Sequence, residues 1–420
     1  LVLFSCRKIG GQAVGRNKIN FVDLCQGEFG RKTAYTGVDQ ITPQNVAQVL
    51  SDTIGIHNRN RTLMDYLYRY YKGDQPILYR EKLVRPEVNN KVVENHALET
   101  VKFKAGQIYG EPIQYVCKKK KASEETNEQV DRLNDYLDEA NADARNIQLG
   151  IYQSAVGTAY KAILREDEWT KDGDLPPFRI FIPSPQDVYI VYSSATGKPV
   201  LSVQILKDED NQQYYQCYSS RQYFKIQNGA VTEAGINGFG GIPIIEYPNN
   251  HDRLSDIEIA ITMYDAINKY QSDRLNGVEQ FVQALMKFKN CEIDEAEFVK
   301  MIKLGAVSVK DVGNGTQSDV DLMTAELNQS ESQVAKDDIY NNMLIVEAMP
   351  NRQGNTGGDT GNAVYLRNGW DFAERDAKLV EAFTKEAEKA SARIILNIIR
   401  KTSMDVNIST RDFDVKITRN

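Results

Sequence analysis

Histidine is scarce in this chain and paired cysteine is absent. His57, His96 and His251 stand far apart among 420 residues, so a histidine metal site, which groups its ligands at short spacing, is not expected. Cys6, Cys25, Cys117, Cys217 and Cys291 are isolated, odd in number and without a CxxC pair. They read as reduced thiols of a cytoplasmic product rather than as a disulfide framework. No apolar run approaches the roughly 20 residues that span a bilayer, and the stretch before Cys6 is too short, and lacks the basic leader, for a secretory signal. No membrane partner is expected. A surplus of positive charge is missing too: 51 Lys and Arg against 58 Asp and Glu leave a net charge of −7. Tight, static binding to duplex phosphates calls for the opposite balance.

Catalytic signatures are also lacking. The stretch GNTGGDTGN has no Lys-Ser/Thr and no strand before it, so it is not a P-loop, and no GxSxG elbow occurs. Acidic groupings exist at Asp208-Glu209-Asp210 and Asp319-Asp321. The first reads as a hairpin turn, and pairs like the second arise often among 58 acids. No catalytic residue, metal site or cofactor is assigned. A metal-dependent nuclease and a stand-alone nucleic-acid-binding module remain the alternative readings.

What is present is enough chain for two or three cores. Residues 1 to about 40 show no sustained period and read as an arm; with a first helix from Pro43 to about Ile54 they make a segment 1–54. A second helix is expected over Arg59 to Lys72, stopped by Gly73, after which Gln75-Pro76 forces extended chain. Asn89 or Asn90 is placed to cap a helix with Val93, Ala97, Val101, Ala105 and Ile108 on one face, ended by Gly110. Lys118 to Lys121 reads as a solvated run, with phosphate contact as the other use. Two helices follow, over about 127–140 and 144–157. From Ala159 short segments rich in Tyr, Val and Ile alternate with turn clusters, the texture of an antiparallel meander. Residues 55–251 therefore read as one α+β domain.

Beyond residue 252 the texture is long helices. One begins at the capping box Ser255-Asp256-Ile257-Glu258 and carries a stripe of Ile257, Ala260, Tyr264, Ile267, Leu275, Val278, Val282 and Leu285 to about residue 287. A small module, 288–328, separates it from a second helix, 329–349, with its own capping box at Ser330–Gln333. After Pro350 comes a polar, glycine-rich stretch, 350–362, then a helix from Ala363 to about Lys401 that Gly369 is placed to kink, and a strand-like end, 403–420. Single apolar stripes on helices of this length leave more surface than one chain can cover, which points to oligomerisation, side by side in a ring rather than as a coiled coil.

The block Tyr70-Tyr71-Lys72-Gly73-Asp74-Gln75-Pro76-Ile77, the pair Asn89-Asn90, and Gly110-Glu111-Pro112-Ile113-Gln114-Tyr115 stand in an order that resembles the portal proteins of tailed bacteriophages, in the family typified by phage SPP1. The segment 358–377 resembles that family's Gly-rich loop entering its long helix. The resemblance implies the α+β portal fold: a wing over 55–251, stem helices at 252–287 and 329–349, a clip at 288–328, a tunnel loop at 350–362 and a long wing and channel helix at 363–402. Ile257, Tyr264, Ile267 and Val278 then pack the stem, and Tyr71, Gly73, Asp74, Pro76, Asn89, Asn90, Gly110 and Pro112 mark the family motif.

Asn351, Arg352, Gln353, Gly354, Asn355, Thr356, Gly357 and Gly358 would face double-stranded DNA, making weak phosphate contacts without base readout. Read from residues alone, that stretch serves equally as a linker between helices. The resemblance further implies a ring of about twelve copies at one capsid vertex of the virion, assembled in the host cytoplasm. Its partners would be the scaffold and major capsid protein, the terminase large subunit, then a head-completion adaptor, and it would have no enzymatic role. An acidic wall suits a channel through which DNA slides. The resemblance also implies a helical crown after the long helix; residues 403–420 do not read as one, so the crown is expected to be missing, trimmed or outside this sequence.

Overall fold

The computed structural model describes residues 19–83, 85–118, 123–170, 175–282, 285–289, 296, 299, 319–323, 329–352 and 368–419. Contacts divide them into a first unit, residues up to 76, 95–264 and from 341, and a second, 77–94 and 265–340. Helix α1 (Phe21–Cys25) is a single turn whose cap, Asn20, accepts from the Asp23 N–H. Strand β1 (Ala34–Thr36) follows. Residues 19–40 were expected as an arm; instead Phe21, Cys25, Arg31 and Ala34 are buried. Elements of five and three residues are too short to show a period, which is why sequence patterning missed them.

Helix α2 (Val46–Tyr71) runs unbroken for 26 residues where two helices were expected, across the boundary drawn at residue 54. Gly55 inside it costs about 1 kcal/mol. Buried Val46, Val49 and Leu50 before it and Leu63, Met64 and Leu67 after it outweigh that cost. Helix α3 (His96–Tyr109) starts at His96, with Asn95 as its cap, so neither Asn89 nor Asn90 caps it and Val93 lies outside it. After β2 (Gln114–Cys117) come α4 (Glu124–Glu139) and α5 (Ala142–Val156).

The meander is present. Strands β3 (Thr158–Arg165) and β4 (Phe178–Phe181) precede β5 (Val188–Ser193), β6 (Pro199–Lys207), β7 (Gln213–Tyr218), β8 (Gln222–Gln227), β9 (Ala230–Ile236) and β10 (Ile244–Pro248). Strands β5 to β9 pair antiparallel in chain order, and β1 adds to the β5 edge in parallel. Strands β10, β3 and β4 form a separate three-stranded sheet. Asp208 sits in the β6–β7 turn, its carboxylate accepting from the Gln212 N–H at 2.7 Å, the hairpin expected for this acidic group.

Helix α6 spans Ile261–Val282 and is followed by strand β11 (Leu285–Lys289), so Leu285 is not on the helix and the stripe ends earlier than expected. Ser255 does not close a simple capping box: its hydroxyl donates to the Ser154 and Ala155 carbonyls at 3.0 and 2.8 Å. Glu258, besides its bond to the Ser255 amide, engages Gly30 and Arg31. Strand β12 (Asp319–Met323) pairs antiparallel with β11. Helix α7 (Gln329–Val346) already contains Ser330, and Gln333 turns to Arg274 and Asp337 instead of back to a cap. Helix α8 (Trp370–Lys401) begins after Gly369, which at φ +82° is its N-cap and not a kink. Strand β13 (Phe413–Lys416) pairs with β2.

Two larger cores lie among the described residues of the first unit, beside a smaller cluster of Tyr160, Ala162, Val188, Ile190 and Ile244. One packs Leu133 of α4, Leu149 of α5 and Ile395 and Ile399 of α8 with Ile163, Phe178, Tyr247 and Phe413 from the strands. Within it Glu388 of α8 is fully enclosed, paired with Lys161 of β3 and accepting from the hydroxyls of Tyr115 and Tyr247 at 3.1 and 3.0 Å. A buried carboxylate is tolerated because a cation pairs with it and both of its oxygens find donors. The other core sets Val46, Val49 and Leu50 of α2 against Val191, Leu201, Val203, Phe224 and Ile226 of the six-stranded sheet.

Candidate functional site around Asn351 and Asn368

The motif block builds a helix stop and a latch. Helix α2 ends at Tyr71; Gly73 takes φ +94°, a left-handed turn that a side chain resists, and returns its N–H to the Tyr70 carbonyl at 3.0 Å. The Asp74 N–H reaches the Arg69 carbonyl, and its carboxylate accepts from Arg69 Nε at 3.0 Å. Gln75, fully buried, donates to the Tyr70 carbonyl and to Asn95 Oδ1 at 3.2 and 3.1 Å. Asn95 in turn donates to the Tyr71 carbonyl at 2.9 Å and caps α3 through the Leu98 N–H. Pro76 opens a 3₁₀ turn. So the end of α2 and the start of α3 are tied by one side chain, Asn95. Gly110 closes α3 with its N–H on the Gly106 carbonyl, and Pro112 leads into β2.

Helix α3 also receives the end of α7. Val346 is followed by Ala348 at φ +51°, and the Met349 N–H bonds back to the Leu344 carbonyl at 2.8 Å, a left-handed helix stop before Pro350. Inside that turn Glu347 is 2% exposed. Its carboxyl accepts from Thr100 Oγ1 of α3 at 2.8 Å and from the Tyr264 hydroxyl of α6. Burial pushes it up to about 8, with Asp256 adding to the rise and Lys104 opposing it. Lys104 itself pairs with Asp376 of α8 at 2.6 Å.

Beyond Pro350, the Asn351 N–H bonds to the Asn368 carbonyl at 2.9 Å, so the chain on either side of 353–367 is brought together. Arg352 pairs with Glu99 of α3, which also holds His96 Nδ1 at 2.9 Å. Trp370, the first residue of α8, meets Phe103 with ring centroids 6.1 Å apart. Of the expected channel residues, Arg352 is thus seated on α3 and Asn351 is held by the Asn368 carbonyl and by Asn341 of α7, to which its side chain donates at 3.1 Å, while Gln353, Gly354, Asn355, Thr356, Gly357 and Gly358 lie outside the described residues.

The expected stem residues divide. Ile257, Tyr264 and Ile267 are buried, whereas Val278 is 41% exposed and packs no core. The reason is polar: toward its C-terminal half, the covered face of α6 carries Asn268, Ser272 and Asn276. Asn268 Oδ1 accepts from the Glu94 N–H, Ser272 Oγ from Val92 and Asn276 Oδ1 from Asn90, at 2.8, 2.9 and 2.7 Å. Four helical residues advance about 6 Å and two extended residues about 6.6 Å, so every second amide of 90–94 meets every fourth side chain of α6. Asn90 also donates to Glu279, and Asn89 exchanges bonds with Arg80. Asn90 therefore pins an extended segment along α6, while Asn89 ties that segment to Arg80.

Asn95, Glu99, Glu347 and the 268-272-276 ladder were not singled out by sequence. The signal for Asn95 was present, an asparagine directly before a helical period with an acid in the first turn. The ladder's spacing was visible as well, but small polar residues on a helix read first as its solvent side.

A comparison with curated proteins returns no match. Among solved structures, the chain is similar to one from the neck of an empty GTA particle computed with C6 symmetry, at 11% identity and a TM-score of 0.48, over 84% of this chain and 84% of that one. A second similar chain is from the neck of a native GTA particle computed with C12 symmetry, at 12% identity and a TM-score of 0.44, over 77% and 79%. The assignment rests instead on a family model, phage portal protein, SPP1 Gp6-like, which matches residues 50–420. That match covers both motif blocks, the latch at Asn95 and the turn at Asn351, and the chain belongs to this family of phage portal proteins.

Proposed function

We propose that this portal protein assembles as a ring of about twelve copies at one capsid vertex, around a channel through which double-stranded DNA is packaged and later ejected. The observation that carries the proposal beyond family membership is the joined base at Asn351 and Asn368, held to α3 by Arg352 and Glu99. A glycine-rich segment leaving a fixed base suits a tunnel loop beside DNA, where backbone freedom matters and base readout does not. In this reading α6 and α7 form the stem, and residues 288–328 form the clip that docks the terminase large subunit and then the adaptor. The first unit's sheets and helices form the wing. The scaffold and the major capsid protein meet the ring during assembly, and the protein is a structural component of the virion.

Light scattering and negative-stain imaging of the purified protein test this. A ring with a central hole and a mass of about 570 kDa, twelve times 47.5 kDa, is expected. A stable monomer or dimer at high concentration overturns it.

A further inference from the structure

In the first unit an open groove of about 490 Å³ lies between the end of α2, the start of α3 and α5. Tyr68 and Tyr71 of α2, Leu98 of α3 and Ile147, Ile151 and Tyr152 of α5 line it. Tyr68 meets Tyr71 and Tyr152 with ring centroids 5.8 and 5.3 Å apart, so the three rings brace one another. Lys72 is the one charged residue among the described residues of the lining, its Nζ 4.4 Å from the centre of the Tyr68 ring. It makes no ion pair among the described residues. The groove is therefore apolar and aromatic, with a single positive charge that no carboxylate answers.

The same unit carries a convex counterpart. Phe372 and Leu379 of α8 are 55% and 67% exposed, on the side of the helix opposite the buried Ala373, Ala377, Thr384 and Ala387. Residues seven apart drift by only about 20° around a helix, so Phe372, Leu379 and Glu386 share one line. Glu386 is exposed and, like Lys72, has no ion-pair partner among the described residues; its neighbours Lys385 and Lys389 pair with Glu381 and Asp414 instead. The stripe is thus two large apolar side chains followed by an unanswered carboxylate.

Helix α3 separates the two features. Leu98 reaches the groove, whereas Phe103 and Lys104, which meet Trp370 and Asp376 of α8, stand about 140° and 120° from it in opposite senses around the α3 axis. Helix α8 therefore packs on the far side of α3, its exposed stripe directed away, and does not cover the groove of its own chain. Their dimensions agree: the α5 wall from Ala144 to Ile151 and the pair Phe372–Leu379 each extend over seven residues, about 10.5 Å of helix. A ring joins unlike surfaces of neighbouring copies head to tail. We propose that the α8 stripe of one copy seats in the tyrosine groove of the next, with Phe372 and Leu379 against the apolar wall and Glu386 toward Lys72. This interface rests on the ring reading above and names two of the surfaces that close the ring.

Light scattering on the full chain, with circular dichroism to read folding, tests it. Leu379→Asp and Ile147→Asp each place a charge in one half of the contact, on side chains that already face solvent. Each should fold as the wild type does and lose the ring. Lys72→Glu and Glu386→Lys should each lower the fraction of ring at low salt, where exposed charges are least screened, and the variant carrying both should regain it. A ring formed by either aspartate variant overturns the proposal, and so does a double reversal that assembles no better than the single ones. A wild type that forms no ring removes the ring reading itself, and this interface with it.

Discussion

Glu347 shows what one enclosed carboxyl does to stability. Its ordinary value of 4.5 is raised to about 8, chiefly by burial. The folded protein therefore holds a proton that the unfolded chain releases, so this group's contribution falls as pH rises from about 4.5 and is fully lost above about 8. The shift corresponds to a few kcal/mol at most in order of magnitude. Glu347→Gln keeps the shape and removes the titration. Melting temperatures of both forms between pH 5 and pH 9 should diverge, the variant gaining on the wild type as pH rises; parallel curves would mean that Glu347 is already charged in the fold. Ile267 and Val278 were expected to act alike, and the structure separates them. Ile267→Asp buries a charge without a partner and should cost several kcal/mol of folding stability. Val278→Asp should leave folding near wild type, because that side chain already faces solvent. Circular dichroism and light scattering then read folding and ring assembly apart. If the stem reading holds, the Val278 variant folds but assembles poorly.

Elements tell how much the sequence disclosed. Helix α8, the meander and the stop at Gly73 were legible because their periods are long and their punctuation is strong. Boundaries set by tertiary contact were not: α2 passes through Gly55, α3 waits for Asn95, and α6 gives way to β11 at residue 285. The site was legible in part. Asn89, Asn90, Gly73 and Asp74 were picked out by resemblance, but their bonds depend on residues up to 189 positions away, as with Asn90 and Glu279. At this scale Ser272→Ala is informative. It strands the Val92 N–H and should cost about 1–3 kcal/mol, with faster hydrogen exchange at Val92 as the local readout. Unchanged exchange there would remove the ladder from the account of stability.

For the whole molecule, the charge balance and the tunnel-loop reading make linked predictions. A protein of net charge −7 should be held only weakly on duplex DNA at low salt, with a shallow dependence on salt; strong retention would favour a free-standing DNA-binding module. Deleting Gly354 to Gly358 should leave the ring's mass unchanged, because the base at Asn351 and Asn368 and the seat on α3 lie outside the deleted stretch. It should reduce packaged DNA in an assembly assay, and undiminished packaging would remove the tunnel-loop role.

The ladder between α6 and residues 90–94 also has a mechanical meaning. Its three bonds lie side by side along the helix, so a force directed along the axis loads all of them at once. A force directed away from the helix breaks them in succession, each at about the strength of one bond. The segment is therefore stiff against sliding and weak against peeling, and the direction of a pull, more than its size, decides whether it holds.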